Sequence, residues 1–224
     1  MRVPLGSLCC LLLSLALVSV ACDGSGLRSE VRGSGDVVTE QRSVSGFDHL
    51  SISGRGTVHV EITGTESLEV EAEDNILAVL TIEVVDGRLE LGAEPFTSLA
   101  PTREIVYRIT AARLTGVSIS GSAEVDVAIV EGPEFEVEIS GSGGVRPVGE
   151  VTRLDVDISG SGRFMGEELE SATARVSVSG SGQADVVVSE ELDASVSGSG
   201  AIRYSGDPSR VREEVSGSGS VTGR

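Results

Sequence analysis

A tetrapeptide that returns at nearly constant spacing limits what this chain can fold into. Ser-Gly-Ser-Gly, or a near copy, begins at Ser120, Ser140, Ser159, Ser179, Ser197 and Ser216. The steps are 20, 19, 20, 18 and 19 residues, and Ala123 is the one departure from the second Gly. The flanks keep the same frame. Three and one residues before each first Ser stand Val117 and Ile119, Val137 and Ile139, Val156 and Ile158, Val176 and Val178, then Ala194 and Val196. Five residues after it come Val125, Val145, Phe164, Ala184, Ile202 and Val221. Residues two apart share one face of a strand. Each unit is therefore a short strand, a Gly turn, a second short strand and a variable return.

Such a unit cannot bury its apolar face alone, whereas stacked copies can. The expected fold is all-β: a parallel β-helix, or β-solenoid, with coils of about 18–20 residues. Gly at a corner takes backbone angles closed to other residues, and the Ser beside it could bond to its equivalents in the neighbouring coils. An antiparallel sandwich is the alternative, but it does not need identical turns at constant spacing. The N-terminal half is less regular. Ser53-Gly54-Arg55-Gly56 keeps the Gly spacing, and Thr57–Ile62, Leu68–Ala72, Thr81–Val85, Arg88–Leu91 and Ile105–Ile109 read as strands. Asp86-Gly87 reads as a type I′ hairpin turn. Gly92 to Arg103, with Pro95, Phe96 and Pro101, is the longest expected interruption.

The first residues read as an address. Arg2 precedes a thirteen-residue apolar run, Leu8 to Val20, too short for the ~20 residues that span a bilayer. The run ends Val18-Ser19-Val20-Ala21-Cys22, which resembles a lipobox, where cleavage leaves a Cys carrying diacylglycerol. Ordinary secretion with cleavage near Ala21 is the other reading. Cys arithmetic favours the lipid: Cys9 and Cys10 lie in the removed segment, and a lone Cys22 in an exported chain otherwise invites stray disulfides. The expected organisation is a signal peptide over 1–21, a lipidated Cys22 with a Gly/Ser-rich tether over 22–32, and one solenoid domain over 33–224. The expected location is exported and lipid-anchored, at the cell membrane or the outer membrane, facing periplasm or cell surface.

Charge excludes one class of partner. Thirty-five acidic residues against 17 basic ones, all Arg, give a net charge of −18. Such a surface repels phosphates, and six aromatics without Trp give few stacking platforms, so nucleic acid is not an expected partner. Without Lys, Schiff-base chemistry is closed. His49 and His59 lie in no zinc-like spacing.

Over the whole mature chain the sequence resembles the head GIN domain family of autotransporter-adhesin heads. The cues run in order: Gly33-Ser34-Gly35, Val44-Ser45-Gly46-Phe47-Asp48, Glu73-Asp74-Asn75-Ile76-Leu77, Asp86-Gly87-Arg88-Leu89, then the Ser-Gly ladder. The resemblance implies a β-solenoid on an exported bacterial protein, no enzymatic activity, and no catalytic or cofactor-binding residues. A translocator barrel would need many alternating membrane strands after the head, so a lipid on Cys22 is the expected anchor. The ligand of such an adhesin-like head is not specified by any residue. An envelope scaffold and, more remotely, a carbohydrate-active β-helix enzyme are the alternatives.

Two surface features invite chemistry. Glu136, Glu138, Asp155 and Asp157 fall at equivalent outward positions of adjacent coils, ~4.8 Å apart. Like charges so placed repel. A hard cation such as Ca²⁺ would relieve the repulsion, although salt and nearby Arg175 could screen it as well. The opposite outward face, with Glu124, Asp126, Arg146, Arg163, Asp185 and Arg203, has balanced charge and is freer to meet a partner. His59 and Glu61 read as an outward polar pair. Finally, Glu213 occupies the inward frame position that Val117, Val137, Val156 and Val176 fill earlier. The last coil is therefore expected to fray or to accept a partner, by end-to-end stacking or strand addition.

Overall fold

In the computed structural model the described residues are 29–224. The signal segment, Cys22 and the tether up to residue 28 lie outside them. From Gly116 onward, chain order and stacking order coincide. Gly116–Gly121, Glu124–Gly141, Gly144–Gly160, Arg163–Gly180, Gln183–Gly198 and Arg210–Gly217 pair in parallel, each with the next. The register aligns Ser120, Ser140, Ser159, Ser179, Ser197 and Ser216 in one row. A second parallel face runs from Thr57–Ile62 through the first halves of the long strands to Ala201–Ser205 and Ser220–Gly223. The expected β-solenoid is thus the observed fold, and the inward frame holds: Val156, Ile158 and Phe164 are buried, as are their equivalents in the adjoining coils.

The two glycines of each turn have different physical causes. Gly141 has φ +134°, and a Cβ there would stand 2.3 Å from the carbonyl oxygen of Gly121. Gly162 faces the interior, where a Cβ would meet Cγ2 of Ile139, one coil earlier, at 2.4 Å. The first glycine lets backbones approach, and the second leaves room for the previous coil's branched side chain. The bonds along this row come from backbone groups and not from the Ser hydroxyls that the sequence suggested. Ser142, Ser161 and Ser181 donate their N–H groups to Gly121, Gly141 and Gly160, each at 2.8 Å.

The N-terminal half belongs to the same stack in a different order. Arg88–Ala93 pairs in parallel with His49–Gly54, and Val106–Ala111 with Thr57–Ile62. The coil made by the later residues therefore lies outside the coil made by the earlier ones, and His49–Gly54 in turn pairs with Gly116–Gly121. Antiparallel strands close this end. Leu80–Val85 folds back on Arg88–Ala93 through Asp86 and Gly87, whose φ values of +49° and +79° fit the expected type I′ turn. On the other face Ser67–Glu73 covers Val106–Ala111, and Val37–Arg42 covers Ser67–Glu73.

Two expectations change in this region. The interruption Gly92–Arg103 contains a strand, Thr97–Ala100, and its parallel partner is Ser29–Arg32, which the sequence had assigned to the tether. The cause is burial: Val31 and Leu99 pack on the edge of the core. Four residues are too few for alternation to show in either sequence alone. The opposite end of the stack is open. Arg210–Gly217 is wound onto Glu191–Gly198 in full register, so the last coil is formed, yet every residue of this strand is exposed. Among the described residues no helix is long and apolar enough to cross a membrane.

The frame makes a direct test. Ile158 is fully buried and Asp157 is exposed. Ile158→Asp should cost on the order of 4 kcal/mol by burying an unpaired charge. Asp157→Asn should leave thermal melts unchanged or raise them by removing repulsion from Glu138.

Candidate functional site

The solenoid presents its outward side chains as rows. Glu136 lies in register with Asp155, and Glu138 with Asp157. The four expected carboxylates do line one shallow groove of about 190 Å³, together with Arg175 and Ser177. They do not converge into a cage. Glu138 accepts a hydrogen bond from the Ser118 hydroxyl at 3.1 Å, and Arg153 approaches Asp155 at 3.9 Å while also pairing with Glu134. Arg175 sits in register with Asp155 on its other side. Among the described residues, no three His, Cys, Asp or Glu side chains are grouped so as to hold a metal. Neighbouring carboxylates repel, and here Glu138 turns to Ser118 and Asp155 lies toward Arg153.

His49 sits in the same row. It is in register with Gly116, where a Cβ would stand 2.6 Å from the imidazole Nδ1. That missing side chain lets the ring lie nearly buried on the sheet. Nε2 is 2.9 Å from the Ser118 hydroxyl, which in turn donates a hydrogen bond to Glu138. Burial lowers the His49 pKa, and the Arg88 guanidinium lowers it further, against an upward pull from Glu138 and Asp48. A neutral imidazole donating from Nε2 satisfies this row, so the three side chains tie three coils together.

The balanced face is crossed by ion pairs between coils. Asp126 takes Arg146 at 2.9 Å and His59 at 3.4 Å. His59 therefore pairs with the next coil and not with Glu61. These groups are exposed, and such pairs contribute at most about 1 kcal/mol each. Asp185 was expected to point outward on this balanced face. It is buried, because Arg203 and Arg224 close over it at 3.2 and 3.0 Å. It fastens the last coil to the one before.

A second buried carboxylate fastens the capped end. Glu73 is 1% exposed and is ringed by donors. The N–H groups of Gly35 and Thr102 reach it at 2.7 and 2.8 Å, the Thr102 hydroxyl at 2.6 Å, and the Arg103 N–H at 3.3 Å. The Thr102 hydroxyl does most to lower its pKa; burial opposes this, and the three N–H groups add to the lowering. Gly33 must be glycine, since a Cβ there would overlap the carboxylate. Glu73 thus joins Gly33-Ser34-Gly35 to the loop after Thr97–Ala100. The third side of the solenoid carries a groove of about 690 Å³, with Glu131, Glu150 and Glu170 in register along it beside Ser171 and Ser189.

A parallel solenoid with glycine rows, a capped N-terminal end and polar outer faces defines the class. The chain belongs to the family described as "Putative auto-transporter adhesin, head GIN domain", whose model matches residues 46–208. Comparison with curated proteins finds no match. Similar solved structures include the following three. A putative adhesin of Bacteroides fragilis shares 20% identity over 87% of this chain and 100% of its own, with a TM-score of 0.67. A putative adhesin of Parabacteroides merdae shares 17% over 88% of this chain and 99% of its own, with a TM-score of 0.57. A putative lipid binding protein of Parabacteroides distasonis shares 22% over 88% of this chain and 100% of its own, with a TM-score of 0.50. At these identities the likeness is one of fold.

The Glu73 clasp predicts an acid response. A carboxylate whose folded pKa is depressed stabilises the fold above its unfolded value, here 4.5, and loses that contribution as pH falls through the folded value. Glu73→Gln sets an amide N–H₂ among donors. Its melting temperature should lie well below that of the parent chain at pH 7, and the gap should close as pH falls below 4.5. A gap independent of pH would contradict the account.

Proposed function

We propose that this chain is an exported, lipid-anchored, non-enzymatic head of the cell envelope, which presents its solenoid as an adhesin-like binding or structural surface. One observation carries the reading. Ser29–Arg32 pairs with Thr97–Ala100 at the capped end of the stack. Cys22 lies seven residues before Ser29, a reach of at most ~25 Å. A lipid on Cys22 therefore holds the capped end near the membrane and points the open coil away from it.

The family's name and the adhesin descriptions of two neighbours agree with a surface role, and the description of the third as lipid binding agrees with life at a membrane. The acidic surface favours proteins, glycans or cation-bridged partners over nucleic acid. Labelled palmitate should enter the parent chain in its native host and fail to enter Cys22→Ser, which should also leave the membrane fraction. Equal labelling of both would overturn the anchor. Protease shaving of whole cells then separates surface from periplasm.

A further inference from the structure

The open coil has a self-complementary edge. Arg210–Gly217 is paired with Glu191–Gly198 on one side, and among the described residues its other side has no partner strand. Val211 and Val215 stand in register with Leu192 and Val196. The two in the preceding coil are buried, whereas Val211 is 36% and Val215 is 44% exposed. These inward-facing side chains thus have core beneath them and none above.

We propose that this strand pairs antiparallel with the same strand of a second copy, centred on Glu213. In that register Val211 faces Val215 twice, and Arg212 faces Glu214 twice. The alternation of the strand keeps both valine pairs over the interior and both ion pairs outside. Moving the centre to Arg212 sets Arg212 against itself and Val211 against Glu213. Moving it to Glu214 sets Glu214 against itself and Glu213 against Val215. Only the Glu213 centre matches charge with charge and apolar with apolar.

The centre has a cost, because the two Glu213 carboxylates meet. An inward charge on an exposed edge is a known means of preventing indiscriminate strand pairing. Here it makes the contact weak and reversible. Many copies on one membrane offset weakness in each contact.

The consequence rests on the anchoring proposed above. The stack from Leu80–Val85 to Arg210–Gly217 is roughly 40 Å long at ~4.8 Å per strand. A two-fold contact at the open tips sets the two Cys22 anchors at opposite ends. It therefore joins two membranes, and the partner that this head recognises is a second copy of itself.

Lipid vesicles bearing the full lipidated chain test this. Parent vesicles should cluster. Vesicles bearing Arg212→Glu should not, and neither should those bearing Glu214→Arg, because each variant then meets like charge twice. A mixture of the two variant populations should cluster again, since the two acidic side chains of one variant then face the two basic side chains of the other. Glu213→Val should cluster more readily than the parent. Parent vesicles that stay dispersed, variants that cluster alone, or a mixture that stays dispersed would each overturn the proposal. Flotation beforehand reads the anchor separately. Should the chain fail to float, sedimentation velocity of the same parent, single and mixed samples reads the pairing in solution.

Discussion

At each ladder corner the carbonyl oxygen of one glycine stands where the next glycine's Cβ would be. Gly121 lies over Gly54, Gly141 over Gly121, and Gly160 over Gly141, with the virtual Cβ 2.2 to 2.7 Å from the oxygen. The missing Cβ permits the hydrogen-bonded spacing between coils at the corner, and that spacing positions the rest. It lets Ser142 and Ser161 donate their N–H groups to the glycine of the coil before. It brings Val117, Val137, Val156 and Val176 into one buried row. It also fixes which outward side chains meet, from the carboxylates over Arg175 to the ion pairs at Asp126.

The C-terminal half was legible because its interactions are periodic. A residue repeated every 18–20 positions meets its equivalent, so register, inward frame and outward rows could all be read from spacing. The N-terminal half has strands but hides its order. Alternation found Thr57–Ile62 and the hairpin at Asp86-Gly87, yet no local pattern says that Arg88–Ala93 stacks outside His49–Gly54. Stacking order is a long-range property, set by which apolar rows fit together. For the same reason Ser29–Arg32 looked like tether: its partner is more than sixty positions away.

The polar residues that matter to the fold were hidden for a related reason. Glu73 follows Leu68, Val70 and Ala72 in alternation and reads as outward. Its burial comes from Gly33, Gly35 and Thr102, all distant in sequence. Asp185 sits in an outward frame, and Arg203 and Arg224 cover it from later coils. His49 depends on a glycine at 116. In each case the deciding partner is contributed once, outside the repeat. The acidic row showed the converse. Spacing placed Glu136, Glu138, Asp155 and Asp157 side by side, but Ser118 engages Glu138 and Arg153 approaches Asp155, partners that the repeat does not show. The two ends of the stack differ in the same terms. One is closed by antiparallel strands near the expected anchor, and the other leaves Val211 and Val215 uncovered.

The glycines allow the coils to close to their hydrogen-bonded spacing, and alanine substitution at three glycines, read by thermal melting, tests this directly. Gly160 has φ +118° and a carbonyl in the way, and Gly162 has Ile139 in the way. Gly132 has open space and no left-handed backbone. Alanine at Gly160 or Gly162 should cost ~1–3 kcal/mol by forcing adjacent coils apart. Alanine at Gly132 should be neutral or stabilise by up to about 1 kcal/mol through the unfolded chain. Three equal melts would contradict a fold built on close approach at the turns.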